Sequence, residues 1–241
     1  VQNSKLGYFI GTNSKGMAEA IKKIYDTIMA GEGLAVYDKD GDSSLFFETF
    51  TQNLSQNFIA PGILESMRRL ENECQKLVVA DEFLISSYGL PSWLTPDRVA
   101  SIIASRYLFK NRPCTIFDFG TVLTVDFLDV EGNFLGGNIS PGCRTRFRSL
   151  NRYTKSLPLV DAPESENETG YDVRTSIESG VISGIIFELE GYISHHLEKI
   201  SVFTGGDAIY FAKRMKNSIF VVSNLVLMGL ALIAVEYDKK D

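Results

Sequence analysis

The chain has 241 residues, enough for one large domain or two small ones that each bury a core, which excludes a stapled mini-protein. Hydrophobic residues make up 44% and charged residues 22%, a globular composition rather than a disordered, collagenous or membrane one. A formal charge of -6, from 24 basic and 30 acidic residues, gives no net attraction to polyanions, so no nucleic acid and no membrane is expected as a partner.

The chain opens on Val1 without a methionine or a basic-then-apolar leader, so its start is expected to be truncated rather than secretory. Residues 14–31 place Met17, Ala20, Ile21, Ile24 and Ile28 on one face and stop at Gly31, which predicts an amphipathic helix. Residues 34–37 and 45–49 read as short strands around an Asp- and Gly-rich turn, residues 62–73 as a helix and residues 76–80 as a strand. Thr95 is an expected N-cap with Pro96 at the first helical position, and Ala100, Ile103, Ala104 and Leu108 supply the apolar face of the helix that follows.

Beyond residue 112 the pattern sharpens. Residues 115–118 and 122–128 flank a break at Gly120, and residues 134–139 return after a turn at 129–133, predicting an antiparallel meander. A helical region over 173–199, a strand over 201–204 and a helix over 207–215 follow. The apolar stretch 219–235 is interrupted by Ser223, Asn224 and Gly229, so a buried strand and a core helix are expected rather than a membrane span. Each half offers strands with helices around them, which predicts an α/β architecture of two similar lobes, residues 1–112 and 113–241. Cys74, Cys114 and Cys143 form no C-x-x-C pair and read as reduced thiols of a cytoplasmic protein.

Four stretches carry candidate chemistry. Asp97 falls in a first helical turn, where the helix dipole and free N–H groups favour an ionised carboxylate that can accept a proton; an isolated Asp there more often only complements the dipole. Asp118-Phe-Gly-Thr121 ends a strand in a glycine turn, which suits a cation beside a phosphate about as well as it suits a plain β-turn. Gly136-Gly-Asn-Ile-Ser-Pro-Gly142 and Thr204-Gly-Gly206 each let backbone approach a ligand, though neither forms a Walker or dinucleotide fingerprint. The basic stretch Arg144, Arg146, Arg148, Arg152 and Lys155, with Phe147 and Tyr153 interleaved, reads as a solvated helix face or subunit contact ahead of a base-stacking site. His195 and His196, about 100° apart on a helix, read as surface residues.

From Tyr88 onward these stretches together resemble the type III pantothenate kinase family of the actin, sugar-kinase and chaperone ATPase superfamily. The motifs stand here as Tyr88, Pro91, Asp97-Arg98, Asp118-Phe-Gly-Thr121 with Thr124 and Asp126, Gly136–Gly142, Leu150–Pro158, Thr204-Gly-Gly206 and Gly229-Leu230. The resemblance implies a ribonuclease H-like fold in each lobe and phosphorylation of pantothenate by ATP, the first step of coenzyme A synthesis. It implies Asp97 as general base, Tyr88 and Arg98 as substrate-binding residues, and Asp118 as ligand of a monovalent cation, K⁺ or NH₄⁺. Asn3, Ser4, Thr121, Gly205 and Gly206 would contact the nucleotide, with Mg²⁺ on its phosphates. It further implies a homodimer, with residues 144–157 near the shared pocket.

Three positions depart from the family pattern. Val1-Gln-Asn-Ser4 is the nearest match to the D-x-G-N-T strand end, Thr95 replaces a glycine two residues before the base, and Val173 falls where a substrate-binding Thr aligns. A catalytically degenerate homologue with a regulatory or accessory binding role is the competing reading, and a phosphotransferase acting on another small alcohol is the third.

Overall fold

The alternation that predicted strands is realised in a mixed sheet. The structure, a computed structural model, describes residues 82–164 and 168–238 and four short strands before them: β1 (Ala35–Asp38), β2 (Ser44–Phe46), β3 (Phe58–Ile59) and β4 (Leu77–Val78). The helices expected over 14–31 and 62–73 lie outside the described residues. Next come α1 (Glu82–Ser87), α2 (Pro96–Leu108), β5 (Cys114–Phe119), β6 (Val122–Leu128) and β7 (Phe134–Pro141). The chain continues through α3 (Cys143–Tyr153), α4 (Val173–His195), β8 (Ile200–Gly205), α5 (Ala208–Ala212), β9 (Ile219–Val221) and α6 (Leu225–Asp238).

The sheet runs β2-β1-β9-β8-β5-β6-β7. The pairs β5–β6 and β6–β7 are antiparallel, as the meander required, whereas β8 joins β5 in parallel and β9 joins β8 in parallel. The parallel pairs need crossovers, which the α3–α4 segment and α5 supply. A meander of three strands followed by two parallel strands added on the other side of the first gives the ribonuclease H-like order expected from the sequence. Strands β1 and β2 extend the sheet beyond β9, and β3 and β4 form a separate parallel pair.

Because strand side chains alternate between faces, β5 serves two cores at once. Cys114 and Ile116 pack with α2 and α6 on one face, while Phe117 and Phe119 pack with α3, α4 and α5 on the other. Phe147 of α3 is 1% exposed within that second core, so one of the two rings weighed for base stacking is a packing residue. Helix α4 starts on a capping box: the Asp172 carboxylate accepts from the Thr175 N–H, and the Thr175 hydroxyl oxygen accepts from the Asp172 backbone N–H. The interrupted apolar stretch resolves into β9 and the core helix α6, and among the described residues no helix is long and apolar enough to cross a membrane.

Candidate active site

The even positions of β5 and β6 face α2, which places Asp118 and Asp126 under that helix together with Thr124. Asp118 pairs in register with Thr124 on β6 and with Thr204 on β8, so both glycine-flanked motifs end at one edge of the sheet. Gly205 follows with φ +90°, a conformation that favours glycine. A Cβ there would meet the Asp118 Oδ1 at 2.5 Å and the Phe119 backbone N at 2.7 Å, so its bare backbone is what lets the two strand ends close on each other. The Gly206 N–H donates to the Phe119 carbonyl at 2.9 Å and fixes the turn.

Asp97 comes to this edge from above. Pro96 opens α2 and Asp97 occupies its first turn, as the sequence indicated. The Thr95 hydroxyl makes no capping bond, contrary to the expectation for that residue; the turn closes on the backbone bond from the Val99 N–H to the Thr95 carbonyl instead. The Asp97 Oδ1 is buried with no hydrogen-bond partner among the described residues. The same carboxylate is near enough to act on both sheet acids. Burial, then Asp97, then Asp126 raise the Asp118 pKa to about 6. Burial also raises that of Asp126, against the opposing pull of Arg98.

Arg98 is 4% exposed and turned down to Asp126. Its Nε donates to both carboxylate oxygens at 3.2 Å and its Nη2 donates to Oδ1 at 2.5 Å. Tyr88 is half-buried against the α2–α6 core, and its carbonyl accepts from the Arg106 Nη1 at 2.8 Å. Arg106 Nε also donates to the Gly132 carbonyl at 2.7 Å, tying the Tyr88 loop to the β6–β7 turn. Thr121 is exposed, and its carbonyl accepts from the Gly142 N–H at 3.1 Å and the Thr145 hydroxyl at 2.6 Å. Asn3 and Ser4 lie outside the described residues.

Asp97, Arg98, Asp118 and the Thr204–Gly206 turn are thus brought to one sheet edge, while Val173 lies elsewhere. It is 56% exposed and lines a separate recess of about 900 Å³ between α3 and α4, with Arg146, Leu150 and Tyr171. Sequence reasoning did not single out Arg106, whose partners are backbone carbonyls and leave no residue pattern. Among the described residues no three His, Cys, Asp or Glu side chains converge as a metal cluster. The half-buried Asp118 carboxyl among like charges is a setting that a single monovalent cation would relieve.

In a mixed α/β sheet of this order, an acid at a helix N-terminus thus lies near the Asp118 strand end, which in turn closes on the Gly205 turn. The family model for type III pantothenate kinase matches residues 83–195. A type III pantothenate kinase of Christiangramia forsetii is 35% identical over 211 residues, covering 80% of this chain and 86% of that protein. The chain belongs to the type III pantothenate kinase family.

Two further relatives of the same description, from Azobacteroides pseudotrichonymphae and Phocaeicola vulgatus, are 41% and 40% identical over 156 residues. Those alignments cover 64% and 63% of this chain and span 63% and 64% of the relatives' own length. A solved Baf family protein from Campylobacter jejuni shares the fold with a TM-score of 0.55 at 19% identity, covering 82% of this chain and 92% of that one.

Proposed function

We propose that the chain is an ATP-dependent pantothenate kinase that transfers the γ-phosphoryl group to the primary hydroxyl of pantothenate. The observation that carries this reading is the buried Asp97 Oδ1, without a hydrogen-bond partner among the described residues, on a carboxylate close enough to act on Asp118 at the strand end that meets Gly205. In it Asp97 accepts the hydroxyl proton as the oxygen attacks in line, and Tyr88 and the helix turn that carries Arg98 border the acceptor. Thr121, Gly205 and Gly206, with Asn3 and Ser4, border the nucleotide. Phosphoryl transfer of this kind depends mainly on positioning and on charge stabilisation.

Asp118 would hold K⁺ or NH₄⁺, which supplies positive charge beside the phosphates when bound. Mg²⁺ arrives in this reading on the phosphates of ATP. The division into lobes 1–112 and 113–241, with the base on the first and the cation and nucleotide turns on the second, belongs to the same proposal. So does a cytoplasmic homodimer in which the Val173 recess borders the partner's acceptor pocket. Val173 would offer that pocket a methyl surface in place of a hydroxyl, at a cost of about 1–3 kcal/mol in acceptor binding.

Purified protein with ATP, Mg²⁺, KCl and pantothenate should release ADP, and Asp97→Asn should stop it without lowering the melting temperature. Absence of pantothenate-dependent ADP refutes the reading. The departure at Val1-Gln-Asn-Ser4 favours one alternative, a degenerate homologue that binds without turnover. Calorimetry showing tight ATP binding by a protein that releases no ADP would establish it.

A further inference from the structure

We propose that Asp126 and Trp93 are positioning residues for the base: Asp126 anchors the Arg98 guanidinium from the sheet and Trp93 covers it from solvent, fixing the first turn of α2 and hence Asp97. This inference rests on the kinase reading above. Its geometry begins with strand register. Asp126 pairs with Gly137 of β7, and a Cβ at Gly137 would meet the Arg98 Nη2 and the Val125 carbonyl at 2.6 Å each. The glycine therefore clears the path by which a helix side chain reaches a carboxylate lying in the sheet.

The resulting pair is desolvated, at 4% and 2% side-chain exposure. A buried ion pair adds little net stability over well-packed apolar residues, so it is weak evidence for stability and stronger evidence for a fixed arrangement. Arg98 is the residue after Asp97, and on a rigid turn their directions differ by about 100°. Locking the guanidinium to a point on β6 therefore sets the rotation of the helix end and the direction of the Asp97 carboxylate. The first turn has no side-chain cap to do this, since the Thr95 hydroxyl makes none.

Trp93 completes the device. Its ring lies over the Arg98 guanidinium at 5.4 Å and meets the Phe134 ring edge-on at 6.0 Å, yet it is 62% exposed. An exposed indole seated on a buried cation excludes water from the ion pair while leaving its outer face open. It is also the single tryptophan of the chain, so its emission reports on the seat.

The test measures kcat and KM of wild type, Asp126→Asn, Trp93→Leu and Trp93→Phe, with thermal melts and tryptophan emission where the indole remains. Asp126→Asn should lower kcat about 10–100-fold, with KM for ATP within about twofold, and should shift the Trp93 emission. Trp93→Leu should lower kcat about 3–10-fold, and Trp93→Phe, which keeps a ring over the guanidinium, should recover most of that loss.

Unchanged kcat in both Asp126→Asn and Trp93→Leu overturns the inference while leaving an active wild type and the kinase reading intact. A loss confined to KM for ATP overturns it equally. Should Asp126→Asn melt below the assay temperature, the two Trp93 variants decide, and equal rates for Leu and Phe count against it. A wild type that releases no ADP instead refutes the kinase reading.

Discussion

Helices α2 and α6 meet backbone to backbone at Gly229 and Ala100, and that contact makes a sharp prediction. A Cβ added to Gly229 of α6 would overlap the Ala100 carbonyl of α2 and stand 2.7 Å from the Ala100 Cα. Carbon atoms pack favourably at about 3.5–4.0 Å, so Gly229→Ala must push the helices apart by about 1 Å. Both partners are fully buried, and overpacking of this size costs about 1–3 kcal/mol. For a chain of this length that lowers the melting temperature by about 2–12 °C.

Because Ala100 lies one turn beyond Asp97 on the same helix, the shift reaches the carboxylate proposed as the base, where a 1 Å misplacement would cost about a hundredfold in rate. Scanning calorimetry and ADP release should therefore show a modest loss of stability with a disproportionate loss of kcat. A Gly229→Ala protein with wild-type kcat and melting temperature refutes the claim that this contact sets the position of Asp97.

Three further outcomes test the surroundings. Phe147→Ala should cost about 3–5 kcal/mol in denaturant unfolding, because the ring is core; a loss below 1 kcal/mol would return it to the surface. Burial pushes the Cys114 and Cys143 thiols up to about 12, so both should resist a disulfide reagent at pH 8 until the protein is unfolded, as peptide mapping would show. Hydrogen bonds from Thr175 hold Asp172 below the usual carboxylate range, so its contribution is present above the unfolded value and is lost as pH falls through the folded one. The melting temperatures of wild type and Asp172→Ala should differ at neutral pH and converge in acid.

How much of this was readable depended on whether a contact leaves a periodic trace. The meander, the long helix α4 and the final strand and helix all follow from apolar spacing, and the structure places them within a few residues of expectation. Asp97 was readable because Pro96 marks a helix start. The Arg98–Asp126 pair spans 28 positions and leaves no local trace, although a signal existed. Asp118, Thr124 and Asp126 share parity across one hairpin, which is enough to put them on one face. The parallel addition of β8 and β9 was legible only through the family resemblance, since periodicity does not say which neighbour a strand chooses. The final Gly-Leu of the motif set gained its physical meaning only from the contact of Gly229 with Ala100.

The charge balance of the cleft leads to a requirement of its own. Asp97, Asp118 and Asp126 act on one another at the sheet edge, and the Arg98 guanidinium beside them is committed to Asp126. Two like charges about 5 Å apart repel by about 3 kcal/mol at an effective dielectric of about 20, and a triphosphate adds several more negative charges to the same space. Nucleotide binding there needs positive charge from outside the described side chains, and Asp118 is the group best placed to hold it. Exchanging KCl for tetramethylammonium chloride at constant ionic strength should therefore lower pantothenate-dependent ADP release at least about tenfold, chiefly through KM for ATP. Asp118→Asn should be slow in both salts and lose the response to K⁺. Equal rates in the two salts would show that the cleft balances its charge by other means, and the role given to Asp118 would fall.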